Sequence, residues 1–241
     1  MTTRHDPRGT LPGRRPLSGT LAAKWYRTVV KILRFARFYD LRNEKYGSIL
    51  SQLIGPSAGP GHVVLDLGCG PGGITSKLSG PYAVIGADRD CIPLLNFFDL
   101  RIPRLQAQAQ QLPFRNDSID VVLAISLVEH LSDQRAFFRE MERVLKRGGQ
   151  GFLQVPDLRS PIEPHTKWPL LHLWSPSFQS KVLAATGYAD LNLSTSVVGV
   201  AKLGSEAGLQ VEQTLSVWHS RLAKLMGRPT GYFVVLRKRG G

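Results

Sequence analysis

The stretch Val64-Leu65-Asp66-Leu67-Gly68-Cys69-Gly70-Pro71-Gly72-Gly73 decides the fold. An apolar run ends on a carboxylate and passes directly into a cluster of glycines. Glycine lets a chain leave a strand through a tight turn, and a helix begun there points its free amides at a ligand. The spacing Gly68-Cys69-Gly70-Pro71-Gly72-Gly73 also satisfies G-x-G-x-x-G, and Asp88 follows where a ribose-binding acid belongs. Glycine spacing alone is shared with nicotinamide dinucleotide sites. Asp66 is the discordant residue, because a pyrophosphate has no need of a carboxylate two positions before the first glycine.

Outward from the loop, short apolar runs alternate with helical stretches, which is the pattern of βαβ units. Strands are predicted at His62–Leu67, at Ala83–Ala87 ending on Asp88, at Arg104–Gln108, at Ile119–Ser126 and at Gly151–Val155. Helices are predicted around Gly73–Leu78, over Ile92–Asp99 and over Asp133–Lys146, the last stopped by Gly148-Gly149. Val121 to Ile125 is apolar throughout, as a strand covered on both faces requires. Leu209–Val217 and Tyr232–Arg239 read as two further strands with a short helical piece between them. The fold class is therefore α/β and Rossmann-like: seven mostly parallel strands, helices on both faces and the last strand antiparallel.

The termini differ from this core. Residues 1–45 carry 11 Lys/Arg against 3 Asp/Glu, and residues 221–241 carry 6 Lys/Arg and no acid. The part between is nearly neutral. Residues 1–19 have no periodicity and read as a disordered basic tail. Residues 20–58 read as an N-terminal helical extension. In it Leu21, Trp25, Val29, Ile32 and Leu33 share one helical face, while Lys24, Arg27, Lys31 and Arg34 share the other. Such a helix over residues 21–41 suits either an acidic membrane surface or packing on its own domain. A second helix is predicted at Asn43–Ile54, before the Gly55-Pro56 breaker.

The chain resembles the class I S-adenosylmethionine-dependent methyltransferases, in the subgroup acting on small molecules, lipids and sugars. The resemblance is carried, in order, by Asp66-Leu67-Gly68-Cys69-Gly70-Pro71-Gly72, Gly86-Ala87-Asp88-Arg89, Gln111-Leu112-Pro113-Phe114 with Asp117-Ser118-Ile119-Asp120-Val121-Val122, Leu127-Val128-Glu129-His130-Leu131, and Val144-Leu145-Lys146-Arg147-Gly148-Gly149. It covers residues 62–157 well and extends more loosely to 239, giving a methyltransferase domain over 59–241 with an insertion at about 156–186. It implies S-adenosyl-L-methionine as cofactor, with Asp66 facing its cationic methionine end. Gly68, Cys69 and Gly70 would form the loop, Asp88 and Arg89 the ribose end, and Ser126 and Leu127 the border of the sulfonium. The family carries an acid at the end of its third strand to meet the adenine. Here Gln108 and the backbone of Ala109 stand in that place.

Candidates for acceptor chemistry follow the fourth and fifth strands, because this fold opens its pocket at the strands' carboxyl ends. Glu129 and His130 either cap the next helix, pack beneath it or take part in the reaction, and His130 is placed with the substrate-binding residues. The insertion holds Glu163-Pro164-His165, where an imidazole beside a carboxylate suits a base near neutral pH. His165 is the candidate catalytic base with Glu163 orienting it. Trp168 and Trp174 either line an acceptor pocket or cover a small core under the insertion.

The two cysteines, Cys69 and Cys91, make no disulfide framework and no Cys-x-x-Cys spacing, so no metal ligand set is expected. No signal-peptide core and no membrane-length apolar run is found, and a cytoplasmic location is expected, with peripheral contact at an acidic membrane through residues 21–41 as an alternative to packing of that helix on its own domain. The expected acceptor is small, lipid-linked or sugar-linked, and methylated at oxygen or carbon. The basic ends keep an RNA or DNA methyltransferase as an alternative, although the Asn/Asp-Pro-Pro-aromatic motif of amino-directed nucleic-acid enzymes is absent after the fourth strand. A further alternative is a cofactor-binding, non-catalytic protein recruited to membranes.

Overall fold

The computed structural model describes residues 37–157, 163, 165–166, 168–218, 227 and 229–240. The tail, most of the basic helix predicted over 21–41 and the helical piece predicted before the last strand lie outside the described residues.

Seven strands form one sheet in the order β3-β2-β1-β4-β5-β7-β6: β1 (Val63–Leu67), β2 (Ala83–Asp88), β3 (Arg104–Gln106), β4 (Ile119–Ile125), β5 (Leu145–Pro156), β6 (Leu209–Val217) and β7 (Gly231–Lys238). The β1–β5 pairings are parallel, and β7 runs antiparallel to both β5 and β6. The order reverses between β1 and β4. The crevice beyond their carboxyl ends is the place where open α/β sheets bind ligands.

Alternation along the strands divides the core. Leu65, Val122, Ala124, Leu153, Val234 and Leu236 face one cluster with Phe137, Phe138 and Met141 of helix α3 (Gln134–Val144). Val64, Val121, Leu123, Phe152, Phe233 and Val235 face the other, under Tyr46, Leu50 and Ile54 of helix α1 (Arg37–Ile54). The segment read as a second extension helix thus packs on the sheet, with Tyr46 edge-on to Phe233 at 5.4 Å.

Several predicted bounds shift. A helix expected over Gly73–Leu78 is only a 3₁₀ turn, Thr75–Lys77. The next helix, α2 (Cys91–Leu95), is shorter than predicted, and β3 stops at Gln106 rather than Gln108. Gly148-Gly149 does not end a helix: α3 stops at Val144 and β5 runs through the glycines. A Cβ on Gly149 would lie 2.9 Å from the carbonyls of both Asp120 and Lys146, so glycine lets the chain pass close to β4 at its register shift. Two more helices follow, α4 (Pro176–Thr186) within the insertion and α5 (Val197–Glu206), which the sequence pattern did not indicate. Its β-branched residues and glycines are poor helix formers. Ser196 caps it by accepting the Gly199 amide, and Val200 and Gly204 bury it against the sheet.

Candidate active site

The glycine loop is built by its left-handed residues. Gly68, Gly70 and Gly72 have φ of 69°, 54° and 74°, which side chains other than glycine's rarely adopt. The amides of Gly68 and Cys69 both donate to Ala87 O, fastening the loop to the end of β2. Asp88 completes that fastening. Its Oδ2 accepts the Gly70 amide at 2.8 Å and its Oδ1 accepts the Asp90 amide at 2.9 Å. Each carboxylate oxygen keeps a further lone pair. Burial raises the Asp88 carboxyl above its usual range even against those two amides.

Asp66 lies beneath the loop and accepts the Thr75 hydroxyl at 2.6 Å. Its carboxyl is pushed up to about 7 by burial, against the Thr75 hydrogen bond and with the help of nearby Asp88. Burial likewise raises the Cys69 thiol well above its usual range, which disfavours its thiolate form. Nothing stands within 4 Å of where a Cβ on Gly70 would be, so the loop is open on that side. Gly68 faces Leu127, whose Cδ1 would lie 2.9 Å from a Cβ there. Ser126, at φ 52°, donates to Gln154 Oε1 at 2.5 Å, which fixes the turn out of β4. Ala109 is buried, whereas Gln108 is exposed and bridges to Gln111 past the end of β3. Arg89 is also exposed and pairs with Asp90 and Asp190 at 3.7 Å each.

The insertion returns to this edge. His165 Nδ1 donates to Glu163 Oε1 at 2.7 Å, so the predicted pair is formed. Burial works to raise Glu163, but the His165 ring and the amides of Thr166 and His165 outweigh it and hold the carboxyl at about 2. On the other side of the imidazole, Nε2 lies 3.7 Å from Glu129 Oε1. Glu129 sits in a 3₁₀ turn (Val128–His130) directly after β4 and is fully buried. Neither of its carboxylate oxygens has a hydrogen-bond partner among the described residues. Burial lifts its carboxyl to about 7. It does not cap α3; Asp133 does, accepting the Ala136 amide.

His130 completes the group. Its ring is edge-on to His165 at 5.4 Å, and its Nδ1 lies 3.5 Å from Asp190 Oδ2. Burial lowers its pKa, although Asp190 works against this. Tyr188 touches both imidazoles, and the Asn192 amide donates to Glu129 O at 2.7 Å, tying this loop beneath the site. Neither Tyr188 nor Asp190 sits in a recognisable local motif. Trp168 and Trp174 flank Phe178 at 5.7 and 4.7 Å, above a small core of Leu171, Val182, Leu183 and Leu191. Both tryptophans are exposed.

Glu129, His130 and His165 are contiguous. No metal-ligand spacing is visible along the chain, yet the fold brings one potential ligand atom from each of these residues within 4.8 Å of one another.

An open glycine loop at the switch point, an acid on the second strand and an antiparallel last strand define a class I methyltransferase site. The comparisons agree. The sequence profile of a family described as a methyltransferase domain matches residues 65–153. A probable S-adenosylmethionine-dependent methyltransferase of Mycolicibacterium smegmatis is 30% identical over 95% of this chain and 79% of its own length. A demethylmenaquinone methyltransferase of Corynebacterium urealyticum is 36% identical over 44% of this chain and 45% of its own. A probable tRNA methyltransferase 9B of Bos taurus is 29% identical over 53% and 29%, respectively. Among solved structures, an S-adenosylmethionine-dependent methyltransferase from Mesorhizobium loti superposes with a TM-score of 0.60 at 18% identity, covering 80% of this chain and 98% of that one. The chain belongs to the class I S-adenosylmethionine-dependent methyltransferases, and its cofactor is S-adenosyl-L-methionine. The residues present fit that cofactor: the loop is open at Gly70, and Asp88 retains acceptor capacity on both oxygens.

Proposed function

We propose that the chain methylates an oxygen, or a carbon activated by a neighbouring oxygen, of a small, lipid-linked or sugar-linked acceptor. When bound, the cofactor supplies an already activated methyl group. The protein's task is then to align the acceptor and exclude water. Gly68, Cys69, Gly70, Asp88 and Arg89 would hold the methionine and ribose ends, Ala109 and Gln108 the adenine, and Ser126 and Leu127 would border the transfer position.

The observation that carries the acceptor reading is the Glu163–His165 pair meeting Glu129 and His130 at the carboxyl end of β4. His165, oriented by Glu163, is the side chain at which the acceptor's ionising oxygen is received. Trp168 and Trp174 offer the apolar flank. The relative named for demethylmenaquinone supports a lipid-soluble acceptor bearing ionisable oxygens.

A relative named for tRNA favours a nucleic-acid acceptor. Against this, Arg237 pairs with Gln150 toward the amino end of β5, so the C-terminal basic run lies at the edge opposite the loop. The test is methyl transfer from labelled cofactor to hydroquinones, polyprenyl-linked sugars, free sugars and total RNA. Transfer to one of the first three should fall at least about 100-fold in His165→Ala, while cofactor binding is retained. Transfer to RNA alone, or full activity in His165→Ala, would overturn the reading.

A further inference from the structure

We propose that Glu129, His130 and His165 form a site for one first-row divalent metal ion of the Zn2+ type. The donor set is two imidazoles and one carboxylate, whose potential ligand atoms lie within 4.8 Å of one another. This combination suits Zn2+ and its neighbours and leaves a coordination position open for a further ligand.

Three independent features point the same way. Glu129 is a fully buried carboxyl group without a hydrogen-bond partner among the described residues, so its charged form is costly unless a cation faces it. The 3.7 Å from its Oε1 to His165 Nε2 is too long for a hydrogen bond. It is close to the roughly 3.4 Å that separates two ligands held about 2.1 Å from a tetrahedral ion. Finally, a carboxylate stands behind each imidazole: Glu163 accepts from His165 Nδ1 at 2.7 Å, and Asp190 Oδ2 faces His130 Nδ1 at 3.5 Å. That leaves Nε2 of each ring to ligate. Carboxylates behind ligating histidines fix the tautomer and orientation that metal sites use.

The metal site deepens the acceptor reading and rests on it only for its catalytic consequence. The acceptor oxygen would enter as a further ligand, lose its proton to solvent on coordination and stand ready to take the methyl group. His165 would then receive that oxygen through the ion.

The untagged full-length chain, stripped with chelator, should be dialysed against Zn2+ alone and its bound metal measured, with Co2+ absorption as a second readout. About one ion per chain is expected, with a tetrahedral Co2+ spectrum. Glu129→Gln and His165→Ala should lose that ion, and Glu163→Gln should weaken it about 10–100-fold. All variants should keep cofactor affinity, which shows that they are folded. Equal zinc in the wild type, Glu129→Gln and His165→Ala would overturn the proposal. So would methyl transfer by a chain that binds no zinc and ignores chelator, although the acceptor reading would survive that result. Zinc bound at the site without transfer to any small, lipid-linked or sugar-linked acceptor would support the metal site and remove the acceptor reading.

Discussion

Asp88 Oδ2 accepts the amide of Gly70 at 2.8 Å, so the acid ending β2 and the glycine loop after β1 are one built object. The same carboxylate takes the Asp90 amide on its other oxygen. It therefore shapes the loop before it meets any ligand.

Replacing it tests both duties. Asp88→Asn leaves one of the two amides without its acceptor and removes the negative charge that is proposed to face the ribose. Cofactor affinity should fall about 10–100-fold, the equivalent of one charge-assisted hydrogen bond. Calorimetric titration with S-adenosylmethionine measures it. A loss below about threefold would show that the ribose end is held elsewhere.

Asp66 predicts a pH dependence. Its carboxyl stands at about 7 in the folded chain against an ordinary value of 3.8. The folded state thus holds the proton more tightly than the unfolded one. Its contribution is fully present below about pH 4 and is lost as pH rises toward 7, by an amount on the order of a few kcal/mol. Asp66→Asn should flatten that slope relative to wild type in urea unfolding at about pH 5 and about pH 8. Parallel slopes would mean that Asp66 is ionised without penalty.

Gly72 meets Phe97. A Cβ at Gly72 would lie 2.3 Å from the ring, on a residue whose φ is +74°. Gly72→Ala should cost at least about 2 kcal/mol, from left-handed strain and overpacking together. Combined with Phe97→Ala, the loss should fall short of the sum by at least about 1 kcal/mol, because the collision is shared. Strict additivity would mean that the backbone conformation alone demands glycine.

Trp174 separates acceptor binding from packing. It stacks on Phe178 at 4.7 Å yet is 50% exposed. Trp174→Ala should raise the acceptor KM about tenfold and change stability by less than about 1 kcal/mol. The reverse pattern would make the residue a cover for the small core below it.

Much of the donor half was legible in the chain. Strand, glycine turn and acid are local features, and their physical demands are written in consecutive residues. The Leu112-Pro113-Phe114 stretch was legible only as a resemblance. Its reason is a clamp, in which Arg143 of α3 donates to the carbonyls of Phe114 and Leu112 while holding Glu140. The passage of β5 through Gly148-Gly149 was misread as a helix stop, because paired glycines signal a break without saying which neighbour they must clear. Helix α5 is not legible in the chain because its stability comes from burial against β6 and β7 rather than from its own residues.

The sequence by itself determined the nucleotide edge, since Asp66 and the left-handed glycines act within a few residues of one another, and the ordered motifs that carry the family resemblance pointed to the methyl donor. Only the tertiary structure decided what stands opposite it. Glu129 and His130 lie a whole strand and helix away from Glu163 and His165, with Tyr188 and Asp190 further still. No periodicity links them. They converge because the parallel sheet brings the ends of β4 and β5 side by side, and the buried carboxyl of Glu129 acquires meaning only from what the insertion places against it.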